Sequence, residues 1–252
     1  MTAADQRTPR IAAFFDLDGT LIPEPSLERR LFADLRREGK VPAANYLRWA
    51  FQACLLVPQG VLSARMNNKR HFTGISRELL YRYFDSITFF EEAVARVAWH
   101  ARQGHEIVFV SGTLLELAQL AASAIECELE LRGLPDTRIR VCATCFAQAQ
   151  GYWTGRVQGE VLFGPAKARA LNVLAREHNF VLCDCYAYGN ELLDHDFLSA
   201  VGHAHIVNPS RELARLANEQ DWPIWHWHVE KTIAQTGHTN FTHEIQHLEE
   251  QA

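Results

Sequence analysis

The chain has 252 residues, 48% of them apolar and 10% aromatic, with 25 Lys/Arg against 30 Asp/Glu and a formal charge of −5. That is an ordinary soluble composition, long enough for one sizeable core plus an insert. The negative balance, with no nucleic-acid-binding module in the sequence, argues against a nucleic-acid partner.

Met1 to Arg10 is polar, with no signal peptide in view, and six cysteines without one are expected to be reduced thiols of a cytoplasmic protein. Ile11 to Phe15 is an uninterrupted apolar run, which predicts a strand covered on both faces, as in a parallel sheet. Asp16 and Asp18 follow it directly, and Gly19 lets the chain turn away. Ligands of parallel sheets sit beyond the carboxyl ends of strands, so both acids are expected at the ligand edge. Two carboxylates this close repel unless a cation or a proton separates them.

Pro23 and Pro25 then open about sixty residues of helix formers ending near Ile87. Leu27, Leu31, Phe32 and Leu35, then Tyr46, Leu47, Ala50 and Phe51, then Leu79, Leu80, Tyr83 and Phe84 recur at helical spacing. Residues 24–87 are expected to form a helical cap inserted in a core made of 1–23 and 88–225, with 226–252 as a C-terminal extension. From Ser26 to Asp85 eleven Lys/Arg face five Asp/Glu, a net +6, which leaves −11 for the remainder. A basic insert over an acidic core attracts an anionic substrate or surface, with a merely solvated helical face as the alternative. Arg65, Lys69 and Arg70, beside Asn67 and Asn68, are the candidate substrate contacts there.

Strands near 106–111, 138–145, 180–186 and 204–208 alternate with helices near 91–103, 113–130, 166–178 and 210–219, a doubly wound α/β pattern. Gly151 and Gly155 punctuate a small hairpin. Cys142, Cys145, Cys183 and Cys185 have zinc-like spacing but fall on expected strands, so buried thiols are the better account. His243-Glu244-Ile245-Gln246-His247 has a zinc-protease spacing with no downstream ligand and reads as a solvated tail helix. The stretch 222–227, with Trp222, Trp225 and Trp227, is expected to pack a last strand on the core.

Phe14-Phe15-Asp16-Leu17-Asp18-Gly19-Thr20 resembles the first motif of the haloacid dehalogenase superfamily of aspartate-nucleophile phosphatases. Three further segments resemble its later motifs in order: Val108 to Thr113, Gly164-Pro165-Ala166-Lys167, and Tyr188 to Asp194. Tyr152 to Glu160 is similar to the hairpin that precedes the lysine in the phosphoserine-phosphatase-like branch. The resemblance implies a Rossmann-like core with a cap that selects the substrate, and hydrolysis of a phosphomonoester of a small metabolite. It implies Asp16 as nucleophile, Asp18 as general acid and base, and Lys167 as the cation that cancels phosphate repulsion. Ser111, Gly112 and Thr113 are implied to hold phosphoryl oxygens, and Mg²⁺ is implied at Asp16, the Asp18 carbonyl, Asn190 and Asp194. Asn190 and Glu191 stand where the family most often has aspartate and serine, which removes a charge from the implied metal site. Some members of the branch act on a lipid phosphate, and the Ala50 to Leu62 stretch beside basic residues is the feature here that would suit a membrane surface. A weakly active phospholigand-binding protein is the remaining alternative.

Overall fold

The computed structural model describes residues 9–59, 68–80 and 86–234. Seven strands form one sheet: β1 (Ala12–Phe15), β3 (Glu106–Leu114), β4 (Ile139–Ala149), β5 (Tyr152–Gln158), β6 (Tyr186–Gly189), β7 (His203–Val207) and β8 (Ile224–Trp225). Their order is β5-β4-β3-β1-β6-β7-β8, parallel except for the antiparallel hairpin of β4 and β5. The chain leaves β1 for β3 on one side and later returns to β6 on the other, so a topological switch point lies beside β1.

The apolar run of β1 is buried on both faces, as its composition predicts. Ala13 and Phe15 join Ile107 and Phe109 of β3 in one core; Ala12 and Phe14 join Val108 and Val110 in the other. Helices α3 (Glu91–Arg102) and α4 (Leu115–Leu131) supply the first core. Helices α5 (Pro165–His178), α6 (His195–Leu198) and α7 (Arg211–Glu219) supply the second. This two-sided cover is the doubly wound architecture that the strand and helix pattern implies.

Between Ile22 and β2 (Ser86–Phe90) lie α1 (Leu27–Arg37) and α2 (Ala43–Leu56). Helix α1 is capped by Ser26 and buries Leu27, Leu31 and Leu35, as its spacing predicts. Helix α2 departs from expectation, for its sole buried residue is Asn45. The Asn45 amide donates to the carbonyls of His71 and Thr73, at 3.1 and 2.6 Å, and Asn68 donates to that of Trp49 at 2.7 Å. Polar tethers anchor a helix whose apolar spacing suggested a buried face.

Other boundaries also move. The strand expected at 180–186 is a 3-10 turn at Leu182–Asp184 followed by β6, because Asp184 and Gly202 donate to the Val181 and Leu182 carbonyls and draw that stretch out of the ladder. Cys183 and Cys185 are therefore not on a strand, Cys183 is exposed where a buried thiol is expected, and all six cysteines are free thiols. Helix α4 starts at Leu115 instead of Thr113, since β3 runs on to Leu114, three residues past its expected end, with a break in register after Ser111. At the far end β9 (Glu230–Ala234) pairs antiparallel with β2, so the C-terminal extension is stitched to the core as far as residue 234. The His243–His247 pattern lies outside the described residues. No described helix is long and apolar enough to cross a membrane.

Beneath β1, Tyr188 stacks on Phe15 with ring centroids 4.5 Å apart, and its hydroxyl meets Nε2 of the fully buried His100 at 2.8 Å. Burial pulls the His100 imidazole down to about 3, with His105 and Arg96 adding to the effect, and pulls His205 down to about 4. Both are neutral in the folded protein at neutral pH, whereas the unfolded chain protonates them below about 6.5. The unfolded state then holds more protons, so this contribution is complete above about pH 6.5 and is lost as the pH falls toward 4. The Asp16 and Asp18 carboxyls, raised by burial, titrate in the opposite sense, so the readout is a difference between proteins. The fall in urea midpoint from pH 7.5 to pH 5 should be smaller in His100→Asn than in the wild type; equal falls would contradict a neutral buried His100.

Candidate active site

Three strand ends converge at the switch point. Asp16 follows β1 and is fixed by its N–H donating to the Tyr188 carbonyl of β6 at 3.0 Å. Ser111 lies in β3, and Asn190 follows β6. Lys167 enters from the first turn of α5, where Gly164 adopts φ +55° and Pro165 opens the helix.

The Lys167 ammonium bonds to Asp16 Oδ1 at 2.6 Å and to Asp194 Oδ1 at 2.7 Å, and all three side chains are at most 8% exposed. Burial alone would lower the lysine's proton affinity; Asp16 and Asp194 outweigh it and raise that affinity above the ordinary range. Burial, with Asp194 and Asp18 adding, pushes the Asp16 carboxyl up to about 7 in spite of Lys167. One ammonium is thus shared among more carboxylates than it can neutralise.

Asp18 is bonded to the insert. Its Oδ1 accepts the Leu27 N–H at 2.9 Å, which ties it to the first turn of α1 and to the positive end of that helix. Loss of water raises its carboxyl to about 6 against that bond, with Glu28 and Glu24 adding to the rise.

Both Asp194 oxygens are engaged: Oδ1 by Lys167, Oδ2 by the N–H groups of Asn190 and Glu191 at 3.2 Å. Glu191 returns the favour in a capping box around Leu192–Asp194. Asp194, which the resemblance implies as a metal ligand, thus has both oxygens bonded within the protein and holds the loop and the lysine. Thr20 Oγ1 stands 3.3 Å from both Asp16 Oδ2 and Asn190 Oδ1, so those two oxygens face one point. Gly19, at φ +83°, makes room for this, since a Cβ there would lie 2.1 Å from Asn190 Nδ2. Among the described residues no group of three or more His, Cys, Asp or Glu is arranged to hold a metal by itself. The oxygen set of Asp16, Asn190 and the Asp18 carbonyl nevertheless suits a hard divalent cation in chemistry, and the surplus negative charge favours one.

Ser111 Oγ accepts the Thr113 N–H at 3.2 Å, and the buried Thr113 hydroxyl has no partner. Thr144 of β4, which the sequence does not single out, donates to the Gly112 carbonyl at 2.9 Å and accepts the Leu162 N–H, coupling the Ser111 turn to the approach to Lys167. A cavity of about 860 Å³ opens over Asp16, Asp18, Ser111, Lys167 and Asn190 and is roofed by residues of α1 and α2. Lys69 reaches its wall and pairs with Glu28 at 2.5 Å. Arg70 is not on the wall, and Arg65 lies outside the described residues. Phe32, Tyr46 and Trp49 also line the cavity. The sequence marks two of them only as helical apolar positions, which carries no signal for a ligand wall.

The family model for haloacid dehalogenase-like hydrolases matches residues 13–199. A Streptomyces azureus protein named for inhibition of morphological differentiation is 31% identical, over 87% of this chain and 79% of its own length. Phosphoserine phosphatase SerB1 of Mycobacterium tuberculosis is 29% identical, over 93% of this chain and 78% of its own. Among solved structures, a Bordetella pertussis protein of unknown function superposes with a TM-score of 0.64 at 23% identity, covering 86% of this chain and 98% of that one. A phosphoserine phosphatase solved as a phospho-aspartyl intermediate analogue gives 0.56 at 21%, covering 86% and 93%. The motifs, the sheet order and the matched span agree: the chain is a member of the haloacid dehalogenase-like hydrolase family.

Proposed function

We propose that this hydrolase is a Mg²⁺-dependent phosphomonoester phosphatase that works through an aspartyl-phosphate on Asp16, with residues 24–87 as the cap over the site. The observation that carries the reading is the buried Lys167 ammonium bonded to the strand-end carboxylate of Asp16. A carboxylate can approach a phosphate dianion only where positive charge cancels the repulsion.

Asp16 attacks phosphorus and the P–O bond to the alcohol breaks. Asp18, whose carboxyl sits near 6, gives its proton to the leaving oxygen. The Asp18 carboxylate next takes a proton from the water that attacks the aspartyl-phosphate, which frees Asp16 and inorganic phosphate. Ser111, the Thr113 hydroxyl and the Gly112 backbone hold the phosphoryl oxygens, and Lys167 offsets their charge. Asp16, the Asp18 carbonyl and Asn190 would hold Mg²⁺, which when bound would supply further positive charge at the transferring group. Asp194 keeps Lys167 and the Asn190 loop in place.

A lipid-phosphate substrate at a membrane surface is the second reading. Leu47, Phe51 and Leu55 favour it, an exposed apolar stripe at i, i+4 and i+8 of α2. Co-sedimentation with anionic vesicles would support it, and none would leave the soluble substrate.

Asp16→Asn should abolish release of phosphate from p-nitrophenyl phosphate with Mg²⁺ present, and acid quench of the wild type should trap a protein-bound phosphoryl group that the variant lacks. Residual turnover near the wild-type rate would sink the nucleophile assignment. Lys167→Met leaves two buried carboxylates without their cation and should cost about 3–5 kcal/mol of unfolding free energy at pH 7 without divalent cation, read by urea titration. Gly19→Ala should raise the Mg²⁺ concentration for half-maximal rate at least tenfold, by displacing Asn190; an unchanged Mg²⁺ titration would remove Asn190 from the metal set.

A further inference from the structure

The cap side of the cavity carries two charge pairs. Glu28 and Lys69, 14% and 8% exposed in their side chains, bond to each other at 2.5 Å. Glu24 and Arg29 pair at 3.6 Å nearer the mouth. Among the described residues of this wall, each carboxylate of the insert thus has a cation beside it and each cation a carboxylate. His71, also on this wall, is held neutral at physiological pH, its imidazole drawn down to about 4 by burial.

Between these pairs the wall is aromatic. Phe32 of α1 lies edge-on to His71 at 4.7 Å and to Tyr46 at 6.5 Å. Tyr46 and Trp49, one turn apart on α2, remain 43% and 44% exposed although both border the cavity. Across from the cap, Phe163 lines the core side, its ring packed where a Cβ on Gly112 would lie 2.3 Å away. Large aromatic side chains left open toward a concave site are the usual means of seating an apolar ligand. The cavity's 860 Å³ lies at the upper end of small-molecule pockets, roughly 300–1,000 Å³. A three-carbon zwitterion would leave most of it to water and would meet cap charges already neutralised by each other.

Building on the phosphatase reading, we infer that the alcohol half of the substrate is uncharged and carries an aromatic ring, seated against Phe32, Tyr46 and Trp49. Phosphoserine is then a poor substrate despite the names of the relatives. The phosphate end is read by the core and the ring by α1 and α2.

The test compares four phosphate esters of primary alcohols with full-length protein and Mg²⁺: ethyl phosphate, 2-phenylethyl phosphate, octyl phosphate and phosphoserine. Similar leaving oxygens keep the chemistry matched, so differences in kcat/KM report the alcohol body. We expect 2-phenylethyl phosphate to exceed both ethyl phosphate and phosphoserine by roughly tenfold or more, the scale on which an apolar pocket discriminates. Trp49→Ala should bring the phenylethyl-to-ethyl ratio toward one, chiefly through KM, and Trp49→Phe should restore it. A preference for phosphoserine, or a ratio of one in the wild type, would overturn the inference and leave the phosphatase reading standing. Octyl above phenylethyl phosphate would overturn it in favour of a lipid substrate. No turnover of any ester, with p-nitrophenyl phosphate also inert, would overturn the phosphatase reading and this inference together.

Discussion

The ammonium of Lys167 is the constraint around which the rest is arranged. It is buried, it bonds two carboxylates from different parts of the chain, and neither carboxylate tolerates burial without it. Asp16 comes from the central strand and Asp194 from the loop after β6, so the ion pair clamps the two strand ends on either side of the switch point. Replacing such a cluster with apolar side chains would stabilise many folds. On the proposed reading its presence serves the reaction: the positive charge that holds two acids together is the charge an incoming phosphate would need.

The two cores serve that cluster. Period-2 alternation in β1 sends Phe14 and Phe15 to opposite faces, fixing the register of the strand that ends in Asp16. From the same turn, Asp18 accepts the first N–H of α1, so a proposed proton-transfer group is also the joint between core and insert. Motion of α1 therefore changes the surroundings of Asp18 directly. Burial raises the proton affinity of that carboxyl and the Leu27 N–H lowers it, so both the covering of the site and the position of α1 bear on its protonation.

How much of this is legible in the sequence divides along physical lines. Strand ends, the lysine at a helix start and the acidic loop are local features, set by apolar runs and turn residues, and the sheet with its flanking helices follows from them. Residues that act through tertiary contact are not legible. Thr20 and Thr144 look like ordinary strand-end threonines, and only the folded chain places Thr20 between Asp16 and Asn190, or Thr144 against the Gly112 carbonyl. Helix α2 shows the opposite failure. Its apolar spacing is real, but periodicity reports that a face avoids water and not what covers it.

That failure bears on what α2 is for. A helix rich in Leu, Trp, Phe and Ala ordinarily gains its stability by burying one face, yet this one is fastened by the side-chain amides of Asn45 and Asn68. Hydrogen bonds to carbonyls fix position without consuming apolar surface, so the helix keeps Tyr46 and Trp49 toward the cavity and Leu47, Phe51 and Leu55 outward. Mutual neutralisation of Glu28 with Lys69 works in the same direction, because it removes charge from the cavity wall while leaving the wall intact. On the proposed reading, core and insert would divide recognition by chemistry: charge is concentrated around Asp16 and Lys167 and cancelled at Glu28 and Lys69, where the rest of the ligand would lie.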